Sequence, residues 1–269
     1  MKVSVIVPVY NAGDYIIPCL ESLSKQTIDK LEIVLIDDHG RDDSMQKAHA
    51  FAQTHPQMNI IFADNCENKG PGVARNLGIL SSNGEYVAFV DSDDYIEPDF
   101  CQKLYEAALA HDADIAYCNI SFDYPNRPHE IKRNPITENG EFTSAHKKLF
   151  LRQYKSYFTT FLYRKKFLTD NAIFFPDTHS AEDTCFLACS LITASRIASD
   201  ATTLYHYNIV SSSVSRKKDC NRYKNRIKSL RIFKKYTQDH GLFRYFRYEI
   251  NLIILKKGWL MGLKDLLFN

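Results

Sequence analysis

Val3-Ser-Val-Ile-Val-Pro-Val9 is a nearly continuous β-branched run. A run of this kind is a strand buried on both faces, and such strands need helices on either side of their sheet. The same signal recurs at Leu31–Ile36, Asn59–Ala63, Glu85–Val90 and Asp114–Ile120. Between these runs lie segments with helical spacing. Ile16, Leu20 and Leu23 fall on one face of 14–26, and Met45, Ala48 and Ala52 on one face of the next. Pro71 opens a helix to Leu80, and Pro98 opens one bearing Phe100, Leu104, Ala107 and Ala108. Strand–helix alternation at this spacing predicts an α/β fold, a Rossmann-like domain with a mixed, mostly parallel central sheet.

Ligands of such sheets bind beyond the carboxyl ends of the strands. The second and fourth predicted strands end there in Asp37-Asp38 and Asp91-Ser92-Asp93-Asp94. Carboxylates gathered at one rim repel each other, so cations or hydrogen-bond donors must compensate them. Two carboxylates at i and i+2 on a turn can present hard oxygens to Mg²⁺ or Mn²⁺; the same residues also suit a helix cap. Asn68-Lys-Gly70-Pro-Gly-Val-Ala-Arg75 joins a Gly-rich turn, a helix start and a cation. It reads either as an anion site, with Arg75 on phosphate or on the acidic rim, or as a plain strand-to-helix turn. No GxGxxG or GxxxxGK[ST] pattern is present. Ser180-Ala-Glu182-Asp183 precedes an apolar helix, where Ser180 reads as an N-cap and Asp183 as its partner or as a general base. His39, His179 and His206 show no paired spacing.

The remainder is less regular. Pro125, Pro128, Pro135 and Asn139-Gly140 mark loops and a hairpin, Ser156–Tyr163 and Thr203–Tyr207 are strand-like, and Ser180–Ser195 is helical. Charge divides the chain. From Arg216 to Asn269 there are 15 Lys/Arg and 4 Asp/Glu, a net of +11, whereas the whole chain carries +2. A helix over Cys220–Lys235 and aromatic residues Phe243, Tyr245, Phe246, Tyr248 and Trp259 interleave with those cations. The pattern suits an anionic membrane surface or a solvated helical face. A basic face alone carries no specificity, so no nucleic-acid partner is expected. Seven cysteines without a CxxC pair fit reduced thiols of a cytosolic protein. No apolar run is long enough to span a bilayer, and Met1 leads directly into the first strand, so no signal peptide is expected.

Taken in order, Val5-Ile-Val-Pro8-Val-Tyr10-Asn11, Ile36-Asp-Asp38, Asn68-x-Gly70 with Ala74-Arg-Asn76, and Asp91-Ser-Asp-Asp94 resemble the family 2 inverting glycosyltransferases. Glu182-Asp183 followed by Phe186 and Tyr205-His-Tyr207 is similar to that family's later segment, so the resemblance covers residues 3 to 213. It implies a glycosyltransferase A fold and a nucleotide-diphosphate sugar donor, most often a UDP-sugar. It implies a divalent cation, Mn²⁺ or Mg²⁺, at the family's DXD motif, matched by Asp91 and Asp93. Pro8, Tyr10 and Asp37 or Asp38 would border the nucleoside, with Asn68, Gly70, Arg75 and Ser92 on the nucleotide side. Asp94 and Glu182 would lie near the donor sugar, and Asp183 would match the catalytic base. The acceptor would be a glycan or lipid-linked glycan, and the enzyme cytoplasmic or peripheral on the inner membrane face. The implied organisation is a catalytic domain over 1–215, split into a nucleotide-binding half (1–120) and an acceptor half (121–215). A helical basic extension covers 216–269.

Two departures stand out. Relatives often read Asp-Asp-Gly-Ser where this chain has Asp38-His39-Gly40-Arg41, so His39 adds bulk beside the nucleotide. The stretch Thr159-Thr-Phe-Leu162 lacks the Asn or Lys frequent in relatives. A nucleotidyltransferase is the rival enzyme, but Tyr10 to Tyr15 holds no Lys or Arg to grip phosphate. A non-catalytic binding protein with the same fold is the other rival.

Overall fold

The computed structural model describes residues 1–133, 139–152, 157–209 and 220–258. The elements in chain order are β1 (Val3–Val9), α1 (Ile16–Ser24), β2 (Leu31–Asp37), α2 (Ser44–Thr54), β3 (Ile60–Asp64), α3 (Pro71–Ser81) and β4 (Tyr86–Phe89). Next come β5 (Tyr95–Ile96), α4 (Phe100–Ala110), β6 (Ile115–Asp123), β7 (Glu130–Lys132), β8 (Gly140–Glu141) and α5 (Ser144–Arg152). A 3₁₀ turn (Phe158–Thr160) leads into β9 (Phe161–Arg164), followed by α6 (Lys165–Asp170), α7 (Glu182–Thr193), β10 (Arg196–Asn208), α8 (Cys220–Asp239) and α9 (Phe243–Gly258).

These strands form one mixed sheet in the order β3-β2-β1-β4-β9-β6-β10-β5, with β7 on β6 and β8 on β10. β1 pairs parallel with β2 and β4, β2 with β3, and β6 with β10. β9 runs antiparallel between β4 and β6. The carboxyl ends of β2, β1, β4, β6 and β10 and the start of β9 therefore share one rim.

The alternation of β1 explains its uniform apolarity. Val3, Val5, Val7 and Val9 enter the core shared with α1, α2 and α4. Ile6 enters the opposite core, with α3 and α7. Leu230, Phe233, Phe246, Ile250, Ile253 and Ile254 of α8 and α9 lie in that second core, against Phe150 of α5 and Phe186 of α7. The basic helices are thus built into the body on one side and present their charges on the other.

The sequence differs from the structure in several places. The strand expected at Thr203–Tyr207 is the end of the longer β10, whose pairing with β6 breaks register between Ser199 and Tyr205. The hairpin expected at Asn139-Gly140 is absent among the described residues; β8 pairs with distant β10 and β7 with β6. In the stretch expected as a strand over Ser156–Tyr163, of which Ser156 lies outside the described residues, a 3₁₀ turn precedes a short strand, and α5 and α6 lie in stretches to which the sequence assigned no element. Arg216, Pro135 and Trp259 lie outside the described residues.

Gly78 shows how closely α3 sits on the sheet: a Cβ there would overlap Ile6 Cγ2. Alanine alone would favour the helix by about 1 kcal/mol. Overpacking outweighs that gain, so Gly78→Ala should cost ~1–3 kcal/mol in urea unfolding. An unchanged or raised midpoint would show that α3 can lift off β1.

Candidate active site

In parallel register Val9 pairs with Asp37, which puts the ends of β1 and β2 side by side. Pro8 is buried within β1, while Tyr10 just beyond it is 41% exposed. Asp37 lines a small cavity of about 100 Å³ with Val9, Asn11, Gly40, Asp42 and Met45. Asp38 does not line it. It is 2% exposed and accepts hydrogen bonds from Asn65 Nδ2 (2.7 Å) and the Lys69 N–H (3.3 Å). Asp38 therefore braces the 65–69 loop, and of the two candidates only Asp37 faces this cavity. His39 holds φ +57, a conformation that favours glycine. Its Nε2 lies 2.7 Å from Asp64, whose carboxylate raises the imidazole pKa. Asn68 is exposed. Gly70, at φ +90, packs so closely on His179 that a Cβ would strike its ring.

The acidic turn after β4 closes with the Asp94 N–H donating to Asp91 O (2.9 Å). Ser92 is buried within it. Burial, then the neighbouring Asp91, pushes the Asp93 carboxyl up to about 6. Asp94 lies deeper. Its oxygens accept from Tyr205 Oη (2.6 Å) and the Asn208 N–H (2.9 Å). Burial, then Asp91 and Asp93, hold its carboxyl well above the usual range. Asp94 thus ties β10 beneath the turn and does not line the cavity where a donor sugar was expected.

Arg75 comes from α3 and is only 5% exposed. Its Nη2 donates to Asp91 Oδ1 (2.6 Å), and Nη1 lies 3.9 Å from Glu182 Oε1. The guanidinium sits 4.6 Å from the Phe158 ring centre and 5.4 Å from that of Phe175. Its Nε and Nη1 make no hydrogen bond. The structure thus places this cation on the acidic rim, one of the two partners its sequence context allowed.

Glu182 and Asp183 form the first turn of α7, where a helix N-terminus favours negative charge. Burial, then Asp183, pushes the Glu182 carboxyl up to about 7. Asp183 Oδ1 accepts the Thr184 N–H at 2.6 Å. Ser180 does not cap this helix: the N-cap position is Ala181, in the left-handed region at φ 62, with no side-chain cap bond. What holds the loop comes from α8. Lys228 Nζ donates to Asp177 O (3.0 Å), Ser229 Oγ to Ser180 O (2.8 Å), and Cys185 Sγ to Ser229 O (3.1 Å). The Thr178 hydroxyl also bonds that of Ser229. Sequence reasoning missed these residues; the available signal was one serine on the apolar face of a basic helix.

One cavity of about 320 Å³ gathers the result. It is lined by Arg75, Asp91, Glu182 and Asp183, and by Ile120, Phe122, Tyr157, Phe158, Thr159 and Tyr207. Among the described residues no three His, Cys, Asp or Glu side chains form a complete metal cage. Asp91 and Asp93 offer two hard carboxylates, the number typical where substrate phosphates complete the coordination of a small divalent cation.

The family model described as "Glycosyl transferase family 2" matches residues 4–174. The chain belongs to glycosyl transferase family 2. It is 31% identical over 251 residues to the uncharacterized glycosyltransferase YibD of Escherichia coli K12, covering 89% of this chain and 72% of that protein. It is 32% identical over 218 residues to the poly(ribitol-phosphate) beta-N-acetylglucosaminyltransferase TarS of Staphylococcus aureus, covering 77% of this chain and 35% of TarS. The fold matches the crystal structure of S. aureus TarS 1–349 in complex with UDP-GlcNAc with a TM-score of 0.76 at 24% identity, over 99% of this chain and 78% of that one. This likeness shows a glycosyltransferase A-type α/β architecture, as the sequence resemblance implied.

In this family 2 glycosyltransferase Glu182 makes stability pH-dependent. An unfolded glutamate ionises near its ordinary 4.5, while the folded one keeps its proton to about 7. The cost of its charge is absent below the first value, grows between the two, and is complete above the second. Glu182→Gln should therefore melt above wild type at pH 8, with the difference closing towards pH 4.5. A constant difference across that range in thermal melts would refute the assignment.

Proposed function

We propose that this chain transfers a sugar from a nucleoside-diphosphate donor, a UDP-sugar, to a hydroxyl of a glycan or lipid-linked glycan, with inversion at the anomeric carbon. The observation that carries this reading is the shared cavity: Asp183, Asp91, Glu182 and Arg75 meet at the sheet rim where ligands of such folds bind. The solved TarS structures with UDP-GlcNAc and with UDP support the choice of donor.

The nucleoside would lie over β1 and β2, bordered by Tyr10 and Asp37, with Pro8 shaping the strand edge. Asn68, Gly70 and Ser92 flank the diphosphate path. Arg75 keeps Asp91 and Glu182 in place and lends positive charge to the rim. Glu182, partly protonated near neutrality, can donate a hydrogen bond to the donor sugar. Asp94 acts beneath the site by holding β10. Asp91 and Asp93 would hold a divalent cation, Mn²⁺ or Mg²⁺, which supplies positive charge against the diphosphate when bound.

In the step itself the acceptor oxygen bonds to the anomeric carbon. The bond from that carbon to the diphosphate oxygen breaks, and its electron pair leaves with the nucleoside diphosphate. Asp183 takes the acceptor's proton. One displacement inverts the configuration. We assign the catalytic unit to 1–215 and the extension to 216–269. The outer face of α8 and α9, with Arg231, Arg244, Arg247, Tyr245 and Tyr248 exposed, supports contact with an anionic membrane surface. No helix among the described residues is long and apolar enough to cross a membrane.

Asp183→Asn should keep nucleotide binding and lose transfer by ~10²–10⁴-fold, the usual weight of a general base. Transfer near wild type, measured as acceptor glycosylation, would end the assignment.

A further inference from the structure

The cavity has two unlike walls. One is charged, with Asp91, Glu182 and Asp183 against the single guanidinium of Arg75, which already bonds Asp91. The other is aromatic: Phe122 from β6, Tyr157 ahead of the 3₁₀ turn, and Tyr207 from β10. The Phe122 ring centre lies 5.3 Å from those of both Tyr157 and Tyr207, edge-on to the first and tilted to the second. All three are half-buried, whereas neighbouring core rings such as Phe158, Phe161 and Phe186 are buried. Ring surface left open in a polar cleft is apolar area kept wet, and a ligand that covers it gains by doing so.

Strand order says which ligand reaches this wall. Along the rim the sequence is β2, β1, β4, β9, β6, β10. Asp37 follows β2, and Asp91 follows β4. Tyr157 precedes β9, Phe122 ends β6, and Tyr207 ends β10. At the ordinary strand spacing, Phe122 and Tyr207 lie roughly 10 and 14 Å beyond the end of β4. A donor laid from Asp37 to Asp91 points its sugar toward Asp183 and leaves the aromatic wall for the second substrate. Charge then selects within that class. Asp91 would hold the cation, and beside the acceptor Glu182 and Asp183 face one guanidinium that already bonds Asp91, so among the described lining residues a phosphate on the acceptor unit finds carboxylates and no free cation. A ring with a C–H face meets the negative faces of the aromatic rings without charge conflict.

We infer that Phe122, Tyr157 and Tyr207 form the acceptor platform, and that it takes an uncharged pyranose ring rather than a phosphorylated polyol. This rests on the cavity being the transfer site, and it separates this chain from the poly(ribitol-phosphate) transferases it is similar to. The platform residues come from three distant segments, so no motif announces them. At about 320 Å³ the cavity is at the small end of ligand clefts, enough for a terminal unit and not a length of polymer.

The test is saturation-transfer NMR on the full chain with UDP and the diamagnetic Mg²⁺ present. The probes are methyl glucopyranoside, methyl galactopyranoside, methyl N-acetylglucosaminide and ribitol 5-phosphate. The methyl pyranosides should take up saturation, most strongly on the ring C–H face, and ribitol 5-phosphate should not. Tyr207→Ala and Phe122→Ala should each weaken pyranoside binding about tenfold, the scale of one lost aromatic contact. Tyr207→Phe should restore it, which a general loss of folding would not allow. Preferred binding of ribitol 5-phosphate, no binding by any pyranoside, or pyranoside binding untouched in both alanine variants would overturn the inference. UDP signals in the same samples report the donor site separately, so their loss would instead count against the transfer-site reading.

Discussion

A buried guanidinium organises this molecule's working end. Arg75 packs against two adjoining aromatic rings and faces carboxylates from two distant segments, Asp91 after β4 and Glu182 at the start of α7. Burial works against its charge, and Asp91 and Glu182 outweigh burial. Removing the Asp91 carboxylate, the partner bonded at 2.6 Å, typically costs ~3–5 kcal/mol, because the guanidinium is stranded. Lysine would not substitute, since a point charge lacks the planar fork that addresses both carboxylates and packs on Phe158. Among the described residues Asp93 and Asp183 form no ion pair, and Arg75 acts on both only at a distance. The site is therefore incomplete electrostatically, which is what a cleft for a cation and a charged donor requires.

The C-terminal helices belong to this arrangement. Their apolar residues sit in the same core as Phe186 of α7, and Ser229 and Lys228 hold the loop that delivers Glu182 and Asp183. Ala181 keeps its left-handed conformation within that frame. That residue stands one position before the acidic pair.

The parallel strands were legible because burial on both faces leaves an unbroken apolar run, and their carboxyl ends marked the acidic rim. Whatever depended on partners remote in sequence was not. β8 finds β10 and β7 finds β6, so the local Asn139-Gly140 signal suggested a hairpin that is absent among the described residues. Asp37 and Asp38 are adjacent and chemically identical, yet one faces a cavity and the other braces a loop. Asp94 fitted the motif, but Tyr205 and Asn208 claim both its oxygens. The aromatic platform came from three segments with no common spacing. Asp183, by contrast, was read from the order of the motifs, and the fold brings it to the same cavity as Asp91 and Arg75.

The central claim is that the charge left open at this rim is completed by a cation and a nucleoside diphosphate. The most direct measurement is thermal stabilisation by UDP with and without Mn²⁺, in wild type and Asp93→Ala. At 100 times its Kd a ligand adds ~2.7 kcal/mol to folding stability. The account predicts a UDP shift that grows with Mn²⁺ in wild type and loses its Mn²⁺ dependence in the variant. A wild type that melts unchanged with UDP and Mn²⁺ together would contradict it.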